Sequence, residues 1–117
     1  MGINLNVMDL KQFIADWIAV GNSYDTDRYL SFYQPDAVLD DPSVGRKFNG
    51  HDGIRDYFES YFMGYKTQSR LVKVTVKGDK AFVEVEFTGD FPEGKLGGTF
   101  DMVIADGKIS FIKADLR

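Results

Sequence analysis

At Thr67 the hydrophobic period of this chain changes, and no other feature limits its fold as much. Before that point the apolar residues recur at helical spacing. Leu10, Phe13, Ile14, Trp17 and Ile18 fall at i, i+3, i+4, i+7 and i+8, one stripe of an amphipathic helix. Ile54, Tyr57, Phe58, Tyr61 and Phe62 repeat the stripe. After Thr67 the period is two. Val72, Val74 and Val76 alternate with Lys73, Thr75 and Lys77, and Val83, Val85 and Phe87 alternate with Glu84, Glu86 and Thr88. Gly78-Asp79, Pro92-Glu93-Gly94 and Asp106-Gly107 supply the reversals, so the second half reads as four strands of a meander.

The remaining elements lie between the two stripes. Gly21 is expected to end the first helix, and Asp25 or Thr26 to cap a short second one through Tyr29, Leu30 and Phe32. Pro35 and Asp36 break it. Ala37 to Asp41 reads as a short strand, because a residue before proline is biased towards extended backbone. A polar loop, Ser43 to Asn49, leads into the third helix, which Gly64 closes. Three helices with one apolar face each can be covered by one face of a sheet, so residues 1–117 are expected to form a single α+β domain. Its three N-terminal helices pack on a curved antiparallel sheet, and the space under the curve is a natural cavity.

Composition narrows the chemistry. A net charge of −4 and the lack of a long Lys/Arg run argue against a nucleic-acid partner. There is no apolar run of about eighteen residues, so no membrane span is expected. The start, MGINLNVMDL, lacks the basic-then-apolar layout of a secretory signal, which points to the cytoplasm. With no cysteine and one histidine, thiolate chemistry and a His-based metal centre are not expected. No cofactor is expected. Ten Phe, six Tyr and one Trp suit both a core and an apolar pocket.

Two carboxylates sit where carboxylates are costly. Asp41 ends the short strand in Leu39-Asp40-Asp41-Pro42, where Asp40 points the opposite way. Asp101 lies mid-strand in Thr99-Phe100-Asp101-Met102-Val103-Ile104. There it finds a partner such as Lys113 or Arg117, reaches solvent, or is protonated. Phe100, Met102 and Ile104 share one face of that strand, and Asp101, Val103 and Ala105 the other. Because the second face also carries apolar residues, the expectation is a homodimer through the outer sheet face. His51, at the start of the third helix, is read as bonding a loop carbonyl, and Arg55 as facing solvent or pairing with Asp52 or Glu59. Gly97-Gly98 precedes a strand, which favours close backbone approach over a phosphate cradle.

Asp36-Ala37-Val38-Leu39-Asp40-Asp41-Pro42, followed by Gly50-His51-Asp52-Gly53-Ile54-Arg55-Asp56-Tyr57-Phe58 and the meander, resembles the nuclear transport factor 2-like superfamily, within it the SnoaL-like and ketosteroid-isomerase-like branch. The likeness covers nearly the whole chain and implies a cone-shaped α+β barrel with an internal cavity. It implies a general base at Asp41, before Pro42. A neutral, hydrogen-bond-donating acid falls on Asp101, since ketosteroid isomerases keep a carboxylic acid protonated in an apolar site for that purpose. The oxyanion tyrosine of such isomerases falls on Trp17, a departure, since an indole donates one hydrogen bond and cannot share a proton as a phenol can. Two further tyrosines fall on Tyr33 and on Phe58. The pocket is expected to be lined by Phe13, Tyr33, Leu39, Phe58, Phe62, Val85, Val103, Ile112 and Ala114.

Three functions fit these residues. The first is a cofactor-independent isomerase or cyclase that abstracts a proton next to a carbonyl of a small, apolar, ketone-bearing molecule. The second is a module that binds a small apolar ligand without chemistry. The third is a dimerising scaffold with a filled core. Convergence of Asp41 and Asp101 in one pocket separates the first two.

Overall fold

The computed structural model describes residues 6–116. Helix α1, Val7–Ser23, starts where the Asn6 side chain accepts the Asp9 amide. Of its expected stripe it buries Leu10, Ile14 and Trp17 and leaves Phe13 and Ile18 half-buried, while Val20 is buried as well. It runs past Gly21, the expected end. Tyr24 takes the left-handed cap instead, at φ 60°, with its amide bonded to the Gly21 carbonyl. A tyrosine tolerates that conformation here because its hydroxyl is anchored on the Thr67 carbonyl, 2.8 Å away. Helix α2, Thr26–Leu30, is capped by Asp25.

Strand β1, Tyr33–Asp41, begins earlier than Ala37 because Pro35 and Asp36 sit in an irregularity of the strand between Tyr33 and Val38. The expected loop after Pro42 is largely a hairpin: β2, Arg46–Asn49, pairs antiparallel with β1 and places Arg46 opposite Asp41. Helix α3, Gly50–Tyr57, continues as a π-helical turn, Phe58–Met63, which ends as the Gly64 amide bonds the Glu59 carbonyl. Only glycine fits that end, since a Cβ on Gly64 would lie 2.3 Å from the Ser60 carbonyl oxygen.

The meander follows as β3, Gln68–Lys77; β4, Lys80–Thr88; β5, Lys95–Ala105; and β6, Lys108–Leu116. The six strands form one sheet in the order β2-β1-β6-β5-β4-β3. Every junction is antiparallel except β1 against β6, which run parallel. A bulge between Leu71 and Lys73 leaves Val72 exposed, out of step with the alternation expected of it.

The concave face of the sheet, under the helices, is aromatic. Trp17, Tyr29, Phe58, Phe62, Phe87 and Phe100 form a closed circuit of ring contacts, with successive centroids 4.0 to 6.3 Å apart. That circuit fills the middle of the cone and decides where space remains. No helix among the described residues is long and apolar enough to cross a membrane.

Candidate active site

Beside the end of β1 lies a cavity of about 270 Å³. Asp41, Ser43 and Val44 form one wall, and Tyr57, Tyr61 and Phe62 reach it from α3 and the π-helical turn. Tyr65, Thr67, Phe87, Phe91, Leu96 and Leu116 complete it. Asp41 is its acid, only 6% exposed.

Three donors hold the Asp41 carboxylate. Oδ1 accepts the Ser43 amide at 2.9 Å and the Ser43 hydroxyl at 2.6 Å, the turn that an Asp-Pro-Ser sequence favours. Oδ2 accepts the Tyr57 hydroxyl at 3.0 Å. A carboxylate oxygen offers about two lone-pair sites, so Oδ1 is filled and Oδ2 retains one. Burial, and then the negative charge of Asp41, push the Tyr57 pKa well above the usual phenol value of 10.0. Tyr57 therefore stays protonated and donates.

The other expected site residues are placed differently. Asp101 is exposed on the convex face, opposite Lys113 in the ladder, where it borders an open groove with Val103 and Phe111. It does not meet Asp41, because Phe100 and Met102 take the inward positions on β5. Val103 therefore faces outward as well. Arg117, the other partner considered for Asp101, lies outside the described residues. Trp17, 3% exposed, donates its indole N–H to the Tyr33 hydroxyl at 3.2 Å. The Tyr33 hydroxyl in turn lies 2.7 Å from that of Tyr29. That donor is spent in the core, where Trp17 borders a crevice of about 10 Å³.

Of the nine residues expected to line a pocket, Phe62 lines the cavity. Tyr33, Leu39, Phe58, Val85, Ile112 and Ala114 are buried in the core, and Phe13 packs on Phe32 with centroids 5.2 Å apart. Aromatic residues that were expected to face a ligand face one another instead.

His51 bonds the Tyr33 carbonyl at 2.9 Å through Nε2, which must donate since a carbonyl only accepts. Arg55 pairs with Asp27 of α2 at 3.6 Å, across helices instead of along its own. The ring of Phe87 lies over Gly98, where a Cβ would come within 2.3 Å of it. Among the described residues no three His, Cys, Asp or Glu side chains gather as a metal site.

Sequence reasoning missed Ser43, Tyr57, Tyr61 and Tyr65 as wall residues. Two signals were there to find. Ser43 follows an Asp-Pro pair, and the three tyrosines recur every fourth residue.

Comparison with known proteins agrees with this architecture. No curated protein matches the sequence. A solved structure from Sinorhizobium meliloti, named a "putative polyketide cyclase", superposes with TM-score 0.83 at 26% identity, over 94% of this chain and 99% of that one. A "putative ketosteroid isomerase" from Kribbella flavida superposes with TM-score 0.79 at 15% identity, over 91% of this chain and 76% of that one. The epoxide hydrolase/cyclase-like enzyme SalBIII, of pyran ring formation in the polyether salinomycin, gives 0.80 at 17% identity, over 92% and 89% of the two chains. The last two likenesses speak for the fold alone. The profile of the SnoaL-like domain matches residues 14–112, nearly the whole of the chain. The chain belongs to the SnoaL-like domain family.

Proposed function

We propose that the cavity binds a small, largely apolar molecule and that Asp41 Oδ2 takes a proton from it, the chemistry of a cofactor-independent isomerase or cyclase. The observation that carries this reading is the hydrogen-bond inventory of Asp41: two donors on Oδ1, one on Oδ2, and one lone-pair site of Oδ2 left on an apolar, aromatic wall. A buried carboxylate held in one orientation is how a general base is built. Likeness to the Sinorhizobium meliloti protein supports the cyclase side of the proposal. With Asp101 outside and the Trp17 N–H engaged, a developing enolate oxygen would be met by a tyrosine hydroxyl, and Tyr61 and Tyr65, which line the same cavity, are the candidates.

Two observations favour a second reading, in which Asp41 is structural and the cavity only binds: the turn-forming bonds on Oδ1, and the failure of Asp101 to converge with Asp41. Exchange of α-protons into deuterated water, followed by NMR over a panel of small ketones, separates the two. Asparagine at this position can still accept the Ser43 amide, so Asp41→Asn is expected to fold, bind neutral apolar ligands and lose exchange. Binding without exchange in the wild type would leave the second reading standing. A scaffold with a filled core fits poorly with a cavity of about 270 Å³.

We also infer that the convex face pairs with a second copy. Phe82, Val103 and Phe111 are half-buried there among Lys77, Lys80 and Asp101, charges of both signs that can complement themselves about a two-fold axis. Sedimentation velocity reads the outcome, and a monomer at high concentration would refute it.

A further inference from the structure

Asp41 is a buried carboxylate held by neutral donors. Among the described residues its partners are an amide and two hydroxyls, and the ion pairs Arg55–Asp27, Arg70–Glu86 and Lys95–Glu86 leave it out. No Lys, Arg or His is among the cavity's described wall residues. Hydrogen bonds offset part of the cost of burying a charge, but they bring no opposite charge to it.

The rest of the wall points the same way. Six aromatic residues line the cavity: Tyr57, Tyr61, Phe62, Tyr65, Phe87 and Phe91. The face of an aromatic ring is electron-rich and attracts a cation, most strongly where water is excluded. One carboxylate among six rings, with no Lys, Arg or His on the described wall, gives that wall a negative charge. Arg46, opposite Asp41 in the ladder, turns its guanidinium onto the Phe48 ring instead, 4.2 Å from the ring centroid. An anion is repelled by acid and rings alike. A neutral apolar molecule gains burial but no charge interaction.

Resting on the reading of this cavity as the ligand site, we propose that its ligand is an organic cation: an apolar molecule carrying a protonated amine or quaternary ammonium group that lodges among the rings beside Asp41. The ammonium supplies the positive charge that the wall lacks. Held there, it also withdraws electrons from neighbouring C–H bonds of the ligand, which eases proton removal in a cavity with no cationic side chain among its described wall residues. Oδ2 is left for the departing proton.

Three probes of one shape and different charge test this. Benzyltrimethylammonium, neopentylbenzene and phenylmethanesulfonate each carry a benzyl group on a tetrahedral head, positive, neutral and negative in turn. NMR shift titrations of the labelled full chain give the affinity of each and the amides that respond. The cation is expected to bind about tenfold tighter than the neutral probe, and the sulfonate not measurably. Asp41→Asn should cut most of the preference, leaving the part the rings supply, with the neutral probe's affinity unchanged. Tyr61→Leu, which removes a ring and leaves the carboxylate, should weaken the cation more than the neutral probe. Equal or tighter binding of neopentylbenzene overturns the charge assignment and leaves the cavity as a ligand site. A folded protein that binds none of the three overturns both. Arg117 adjoins the wall residue Leu116 in sequence and lies outside the described residues. Arg117→Gln should leave the preference unchanged, and a rise in cation affinity would make Arg117 the counter-ion of Asp41 and refute the proposal.

Discussion

The Tyr57 hydroxyl and the Asp41 carboxylate come from positions sixteen residues apart and meet at 3.0 Å in a buried contact. One belongs to the end of α3 and the other to the end of β1, so the packing of that helix on that strand sets the direction of the acid. Tyr57→Phe tests this. The ring would keep its contact with Phe48, whose centroid lies 5.1 Å away, while Oδ2 would lose its donor. The expected cost in stability is about 1–3 kcal/mol, typical of a hydrogen bond to a charged group, read by denaturant unfolding. If Asp41 is the base, turnover should also fall, on the order of tenfold to a hundredfold, through lost orientation. A stability loss without a rate loss would assign the pair to structure.

Gly98 leaves room for a cavity wall. A Cβ there would sit 2.3 Å from Cε2 of Phe87, and that ring packs edge-on against both Phe62 and Phe100. Gly98→Ala should therefore drive Phe87 into the cavity, destabilise by about 1–3 kcal/mol, and weaken ligand binding. Unchanged affinity would show that Phe87 has another way to relax.

Asp101→Leu should leave ligand affinity and proton exchange as in the wild type. Its side chain is exposed on the face opposite the cavity, so stability should move by no more than about 0.5 kcal/mol. A loss of exchange would return Asp101 to the reacting centre, against the strand register. Titration of the same variant by sedimentation shows whether this face takes part in self-association.

Alkaline pH should unfold the chain through its buried phenols. Burial raises the pKa of Tyr29 and Tyr33, and burial together with Asp41 raises that of Tyr57, each above 10.0. The unfolded chain thus releases these protons at lower pH than the folded one. Their stabilising contribution is whole below about pH 10 and declines as pH climbs above it. Absorbance at the phenolate band should show these three of the six tyrosines ionising only together with loss of the folded circular dichroism signal. Ionisation of all six before unfolding would contradict the burial.

Much of the fold was legible because it rests on local rules. The change of period at Thr67, the stripes of α1 and α3 and the Asp106-Gly107 hairpin each follow from backbone geometry over a few residues, and each appears in the structure. Alternation along β5 likewise separated Phe100, Met102 and Ile104 from Asp101. Which of those two faces looks inward is not local, because it depends on where the helices come to lie. The resemblance suggested an inward Asp101, and the packing of Phe100 on Trp17 and Phe87 put it outside. Parallel pairing of β1 with β6 joins segments from opposite ends of the chain and leaves no short-range signature.

The site divides in the same manner. Asp41-Pro42-Ser43 determined by itself that an acid would be held at the end of a strand, since an Asp before Pro organises its own turn. Only the tertiary structure decided that Oδ2 would meet Tyr57. It alone decided that six aromatic rings would close on one another in mid-cone, and that the free space would lie beside Asp41. Periodicity tells which side chains face inward; their shapes, packed to the density of a solid, decide where the gap is left.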